Sequence, residues 1–344
     1  MRAVARLGGD TVKAWTRVAG VLALGLASTG SLAQTLSLEG GGVASLTGIV
    51  PQAYAQFVAD EGIKLQVILG QTLTRSALKL AAGRIDVAVV PSPAFRAMQV
   101  GDAPYSDNAL RARELAADLR TLFGFPGGTF HPLTWADSGI DSWADLAGKR
   151  VYIGPPAGAA SSQIEGIVEL ASGLKVGEDY EGVRAPWSAA QQAFQDGQFD
   201  VYFAALAVGS QSLKELSRLR PLRLLDLNPD LVGTEDWDRV TTRGSLTPTV
   251  VPAGTYAGLV DDTADRLLLS TSMMMAVNAT MEDETAYRLT TAFWSNLGAM
   301  VNANALMRSI DPVSPFGGVN VPIHPGALRY YAEVGIPVPP ELLP

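Results

Sequence analysis

The chain has 344 residues, 47% of them hydrophobic and 17% charged, which suits about two domains with buried cores and excludes a disordered polymer. Its net charge of −8 argues against a nucleic-acid partner, which requires clustered Lys and Arg. Cysteine is absent, which removes disulfide scaffolds, thiolate metal sites and cysteine nucleophiles, and His131 and His324 stand too far apart to read as a metal motif. No metal and no cofactor is expected.

The first segment reads as an export signal. Arg2, Arg6, Lys13 and Arg17 precede an apolar run from Val18 to Ala27, and Ser31-Leu32-Ala33 supplies a small-x-small ending. The run is too short to span a bilayer, which takes about 20 apolar residues. Cleavage is expected after Ala33, giving an acidic periplasmic protein that is not itself membrane-spanning. A buried N-terminal helix is the competing reading.

Beyond the signal, strand and helix alternate. Leu36 to Leu38 reads as a strand entering Glu39-Gly40-Gly41-Gly42, and Ile49, Val50, Ala53, Phe57 and Val58 fall on one helical face. Lys64 to Leu69 is a second strand, followed by a helix that ends near Gly83. The β-branched run Ile85 to Val90 marks a buried parallel strand, and Ala94 to Val100 a third helix. A second unit begins near residue 132. There Ser142-Trp143-Ala144-Asp145 forms a capping box, Val151 to Ile153 a strand, and Ile164, Ile167, Val168 and Ala171 one helix face. Ser188 with Gln191 is expected to cap a further helix, Phe199 to Leu206 to form a strand, Val250 to Leu259 another, and Glu282 to about Asn302 a long helix. The expected class is α/β, a two-domain periplasmic-binding-protein-like (type II) clamshell with parallel-type twisted sheets. Residues 34–131 and 252–344 would form domain 1, and 132–251 domain 2. Ligands bind such sheets at the loops leaving the strand C-termini.

Several motifs carry a resemblance. They are Gly40-Gly41-Gly42, Trp135-Ala136-Asp137-Ser138-Gly139-Ile140, Leu146-Ala147-Gly148-Lys149-Arg150-Val151, Gly154-Pro155-Pro156 and Asp196-Gly197-Gln198-Phe199-Asp200. Pro252-Ala253-Gly254-Thr255-Tyr256 and Pro322-Ile323-His324-Pro325-Gly326-Ala327, with Arg329-Tyr330-Tyr331, complete the set. In this order they resemble the TAXI family, the solute receptors of tripartite ATP-independent periplasmic (TRAP) transporters, and the resemblance runs along essentially the whole mature chain. It implies a receptor that hands a small organic acid, of the glutamate or 2-oxoglutarate kind, to the membrane subunits of a TRAP permease. Leu46-Thr47 stand where that family carries paired tyrosines, and Ala157-Gly158-Ala159-Ala160 where it carries Gly-Ser-Gly-Thr. With the apolar Phe203-Ala204-Ala205-Leu206, this points to a ligand less polar than glutamate.

Candidate ligand contacts follow. Gly158, Ala159, Ala160 and Ser161 open a helix whose free N–H groups suit a carboxylate, or form a plain turn. Gly41, Gly42 and Ser45 lie in the first loop, where glycine admits a ligand close to the backbone or simply makes a tight turn; Ser at 45 breaks the G-x-G-x-x-G spacing of a dinucleotide site. Thr72 and Ser92 follow the second and third strands as contacts or solvated loop hydroxyls. Tyr256 either meets the ligand or packs in the core. Arg75 and Arg96 lie near these loops, either able to fork onto a carboxylate or simply solvated. His324 reads as structural and Met273-Met274-Met275 as core.

Two rivals stand beside this reading. An ABC importer's receptor would share the fold. Ser76-Ala77-Leu78-Lys79 with Ser106-Asp107-Asn108 matches two of three elements of a penicillin-binding-type serine acylase, but no lysine is followed by Thr or Ser to supply the third. No catalytic residue is expected.

Overall fold

The computed structural model describes residues 34–43, 45–156 and 159–344; the expected leader and Gly158 lie outside the described residues. The elements run β1 (Gln34–Glu39), α1 (Leu46–Val58), β2 (Ile63–Ile68), α2 (Leu73–Ala81), β3 (Val87–Pro91), α3 (Ser92–Val100), α4 (Ala109–Ala116) and β4 (Leu119–Trp135). They continue with β5 (Arg150–Tyr152), α5 (Ala160–Ser172), β6 (Glu181–Val183), α6 (Trp187–Gln195), β7 (Val201–Leu206), α7 (Gln211–Leu219) and β8 (Leu222–Leu224). α8 (Glu235–Gly244), β9 (Leu246–Val251), β10 (Arg266–Asn278), α9 (Asp283–Ala303) and α10 (Pro325–Glu333) close the chain.

The strands form one sheet in the order β2-β1-β3-β10-β4-β7-β5-β6, with β8 paired to β4 and β9 to β10. β1, β2 and β3 are mutually parallel, as are β5, β6 and β7. Between these two sets run the long strands β4 and β10, antiparallel to each other and to β3 and β7. This is the expected α/β architecture, two parallel α/β halves joined by crossing strands.

Among the described residues, strand alternation builds four cores, two per half. In the first half Val87, Val89, Met273, Met275 and Val277 face Tyr54, Phe123 and Phe293, whereas Ala88, Val90, Met274 and Ala276 face Phe95, Met98 and Leu115. In the second, Val151, Val201, Phe203 and Leu269 face one layer, and Tyr152, Tyr202, Ala204 and Leu268 the other. Each sheet face is therefore covered by helices, as an all-apolar parallel strand requires. Tyr54 anchors the first layer: its ring meets Phe293 edge-on at 5.5 Å, and its hydroxyl donates to the Leu289 carbonyl at 2.7 Å.

The change of half occurs at a break in register. Thr271 pairs with Gly128 but Ser272 with Pro126, leaving Gly127 unmatched as a bulge. A Cβ at Gly128 would approach the Ala205 carbonyl oxygen to 2.9 Å, so glycine there lets β7 come close. Tyr256, Leu259, Leu267 and Leu269 pack in the second half's cores. We therefore propose that the halves divide at 126–128 and 271–272 rather than at 131 and 251.

Two local expectations are corrected, and one stretch without an expectation is filled. The strand expected at Val250 to Leu259 is β9, which ends at Val251 because turns follow. Ser188 is not a cap: α6 starts at Trp187 after Pro186, which makes no side-chain bond. Residues 119–135, unassigned from sequence, are the 17-residue strand β4. The capping box is present in both directions between Ser142 and Asp145.

Candidate functional site

Six helices, α1, α2, α3, α5, α6 and α7, follow parallel strands, and each starts without a side-chain cap among the described residues. An uncapped start leaves backbone N–H groups and the positive end of the helix dipole open to an anion. Several peripheral starts differ, although α4 and α9 are also uncapped. Thr234 caps α8, His324 caps α10, and Asn228 and Asn304 cap short 3-10 turns.

The first loop is held by its own contacts. A Cβ at Gly41 would lie 2.2 Å from Thr47 Oγ1, and one at Gly48 would lie 2.3 Å from the Gly42 carbonyl oxygen, so close packing on α1 already demands these glycines. Ser45 Oγ donates to the Gly42 carbonyl at 2.8 Å and lies 2.6 Å from Thr47 Oγ1, rather than capping its helix. Gly41 is buried and Gly42 exposed. Thr72, exposed, stands at the start of α2 with no side-chain bond to that helix. Arg75 and Arg96 are exposed on α2 and α3.

Ser92 and Ser161 share a property. Each hydroxyl is buried without a hydrogen-bond partner, and the Ser92 residue is 0% exposed. A buried polar group left unpaired costs about 1–3 kcal/mol, so native structures reserve such groups for places a ligand or water completes. Ser161 lies in the first turn of α5 beside half-buried Ala159 and Ala160. Ser92 is the first residue of α3, and its carbonyl accepts from Asn320 Nδ2 at 2.8 Å.

Asn320 belongs to a set that sequence reasoning missed. Its Oδ1 is also buried without a partner, and its Nδ2 stands 3.5 Å from Ser245 Oγ. Ser245 adopts a left-handed conformation at φ 47°, and its carbonyl accepts from Ser272 N at 3.2 Å. Gln163, from the first turn of α5, donates to the Gly244 carbonyl at 2.6 Å and to Thr271 Oγ1 at 3.0 Å. A polar seam thus links α3, the 315–322 loop, the corner between α8 and β9, β10 and α5 where β10 changes halves. Trp187 was also missed; its ring edge is 3.7 Å from a Cβ placed on Gly154, in front of α5. No motif announces Asn320 or Ser245, because only long-range pairing brings them together.

Tyr256 is core rather than contact surface. It is 2% exposed, its hydroxyl accepts from Gly209 N at 3.0 Å, and it lies 2.9 Å from His131 Nε2. Nδ1 of His131 sits 2.9 Å from the Thr129 carbonyl, so that nitrogen carries the proton and Nε2 accepts from the tyrosine. Burial pushes His131 down to about 4, against which the backbone bonds to Thr129 and Ala204 act only weakly. This relay pins the β7–α7 loop, whose Ala207 packs in the first half's core.

The acylase rival fails on geometry. Ser76 is 0% exposed and donates to Glu39 Oε2 at 2.6 Å, while Lys79 Nζ holds Glu39 Oε1 at 2.7 Å. Lysine and serine both serve a buried carboxylate, and the serine has no route to a substrate. His324 Nδ1 accepts from Gly326 N at 3.1 Å, the structural role expected, and Met273, Met274 and Met275 are core. Asp200, in the Asp-Gly-Gln-Phe-Asp motif, braces β5 to β7 through Arg150 at 2.8 Å.

Two recesses lie on the second half: one of about 330 Å³ lined by Trp143, Asp226 and Leu231, and one of about 160 Å³ between α5 and α8. None of the site residues expected from sequence lines either. Among the described residues no group of three His, Asp or Glu is placed to hold a metal, and no helix is long and apolar enough to cross a membrane.

Solved structures that align with this chain include the periplasmic aliphatic sulphonate binding protein SsuA of Escherichia coli. It is 13% identical, with 90% of this chain and 96% of that one covered, at a TM-score of 0.45. The alkanesulfonate-binding protein SsuA of Xanthomonas axonopodis pv. citri, bound to MOPS, is 14% identical over 88% and 94% at 0.46. A TRAP periplasmic solute binding protein of Rhodobacter sphaeroides is 14% identical over 80% and 82% at 0.45. The profile of the NMT1-like family matches residues 28–335, nearly the whole length, and the chain belongs to that family.

Proposed function

We propose that the chain is a periplasmic receptor that captures a small organic acid between its two halves and delivers it to a TRAP permease. One observation carries the reading. Uncapped helix starts converge on the ends of parallel strands, and two of them, α3 and α5, bear buried hydroxyls with no partner. Free N–H groups accept an anion without any basic side chain, so the Ala- and Gly-rich loop before Ser161 suits a carboxylate or sulfonate as well as a Ser/Thr loop does. Ligand that touches both halves favours the closed arrangement by its differential affinity for it, with the register break at Gly127 as the pivot. The residues assigned to the ligand are Ser92 and Ser161 with the backbone of the 41–45, 70–72 and 158–161 loops. No catalytic step is assigned.

The test is a thermal-shift screen of the chain, stripped of carried-over ligand by partial unfolding and dialysis, against organic acids and amino acids. A true ligand at 100 times its Kd adds about 2.7 kcal/mol, a shift of several degrees. Silence from a folded, stripped chain overturns the reading. Uptake into vesicles holding the permease then decides its class: dependence on an ion gradient supports TRAP, and dependence on ATP the ABC alternative.

A further inference from the structure

Ser92 and Asn320 hold two partnerless buried polar atoms in residues that are already hydrogen-bonded to each other. Their chemistry is specific. The Asn320 amide cannot be turned around, because that would set its oxygen against the Ser92 carbonyl now receiving Nδ2 at 2.8 Å. Its Oδ1 is therefore a fixed acceptor waiting for a donor. Ser92 Oγ, 0% exposed, has a proton to give and lone pairs to fill. The residues meeting there, Ser92, Ser245, Ser272 and Asn320, carry no charge, and the backbone adds carbonyls already in use.

An anionic oxygen does not suit this place. It would face Oδ1 as acceptor against acceptor, in a setting where a bare charge is costly. An ammonium would lack a counter-charge there. An alcohol has the chemistry both atoms lack, since it can accept from Ser92 Oγ and donate to Asn320 Oδ1. We propose, resting on the receptor reading, that Ser92 and Asn320 form a subsite for an alcoholic hydroxyl on the captured acid, which makes the cargo a hydroxy acid. The anionic group lies elsewhere, at the open helix starts other than that of α3, with α5 and its Ser161 foremost. Ser92 is named by the sequence as a hydroxyl after the third strand. Asn320 comes from a loop between Pro315 and Pro322 that only the fold brings to it.

The experiment uses matched pairs that differ by one hydroxyl: lactate and propionate, malate and succinate, isethionate and ethanesulfonate. Titration calorimetry of the stripped full chain gives the affinity ratio within each pair. The expected ratio is about tenfold in favour of the hydroxylated member of any pair that binds, equivalent to about 1.4 kcal/mol. In Ser92→Ala the ratio falls to near one. That variant removes a group with no protein partner, so its melting temperature is no lower than the parent's. Asn320→Ser, which shortens the acceptor, is the second variant and also lowers the ratio. Equal binding within pairs, or a ratio that survives both substitutions, overturns the subsite while leaving the receptor reading intact. No binding by any member to a folded chain overturns the receptor reading, and the subsite with it.

Discussion

The outer and inner polar groups of this chain are finished differently. At the periphery Thr234 accepts from Trp237 N, Ser142 and Asp145 close on each other, and His324 takes Gly326 N. At the strand ends facing the join between halves, Thr72 makes no cap, and Ser92, Ser161 and Asn320 keep buried atoms unpaired. Openness at a helix start is not sufficient by itself, since α4 in the outer layer also starts without a side-chain cap. What separates the inner set is the coincidence of the two: Ser92 Oγ, Ser161 Oγ and Asn320 Oδ1 are partnerless at or beside open helix starts, whereas the partnerless atoms of Tyr180, Arg223, Arg266 and Thr291 are not. At those starts stability has been left incomplete beside free backbone N–H groups, and a ligand is what would complete it.

Perturbing finished groups costs stability, and perturbing open ones does not; that contrast can be broken experimentally. The largest effect is expected from pH. The folded chain keeps His131 neutral down to about 4, whereas the unfolded chain takes up the proton near the ordinary 6.5. Between these values the unfolded state binds more protons, so stability falls as pH drops from about 6.5 to about 4, by up to roughly 3 kcal/mol. Burial lowers His324 as well and adds in the same direction. Urea denaturation at pH 7 and pH 4.5 measures the slope, and His131→Asn should flatten it; an unchanged slope would remove His131 as its source. Tyr256→Phe comes next. It strands Gly209 N–H and His131 Nε2 in the core, with an expected loss of about 2 kcal/mol in the same assay. Thr234→Ala should cost about 1 kcal/mol, the usual worth of a cap. Smallest of all, Thr72→Ala and Ser161→Ala should lose no more than about 0.5 kcal/mol, since neither removes a bond. A loss of 1 kcal/mol or more at Ser161 would show that its hydroxyl has a protein partner, and would end the distinction.

Local rules reached far into this fold. Alternation of apolar runs located β1, β2, β3, β5 and β7, and the Ser142–Asp145 spacing located a capped turn, because these depend on neighbours in sequence. β4 was invisible for the opposite reason. Gly124, Pro126, Gly127, Gly128 and Pro132 interrupt it, and such residues ordinarily deny a central strand. It persists because β10 pairs along it and absorbs the misfit by shifting register at Gly127. Tyr256 misled in its own way: an aromatic residue on a crossover reads equally as ligand contact or core, and only its hydroxyl partners decide. Ser92 was legible as a hydroxyl at a strand end. Its lack of a partner was not, since that depends on what the 315–322 loop brings across.

The crossing strands also set the order in which the chain can be finished. Residues 129–271 supply the second half's sheet and cores almost alone, so that half can consolidate once its own stretch exists. The first half must wait for β10, whose Ala276 pairs with Thr121, and then for Phe293 and Tyr331, which complete the core begun by Leu36. Closing that loop spans most of the polypeptide, and long closures are slow. The amino-terminal half is therefore assembled last although it is made first. Pulse-labelled hydrogen exchange during refolding should protect amides of β5 and β7 before those of β1; the reverse order would contradict this sequence of events. Until β10 arrives, β1, β2 and β3 remain an unclosed edge, and for that interval the newest and oldest parts of the chain are equally unfolded.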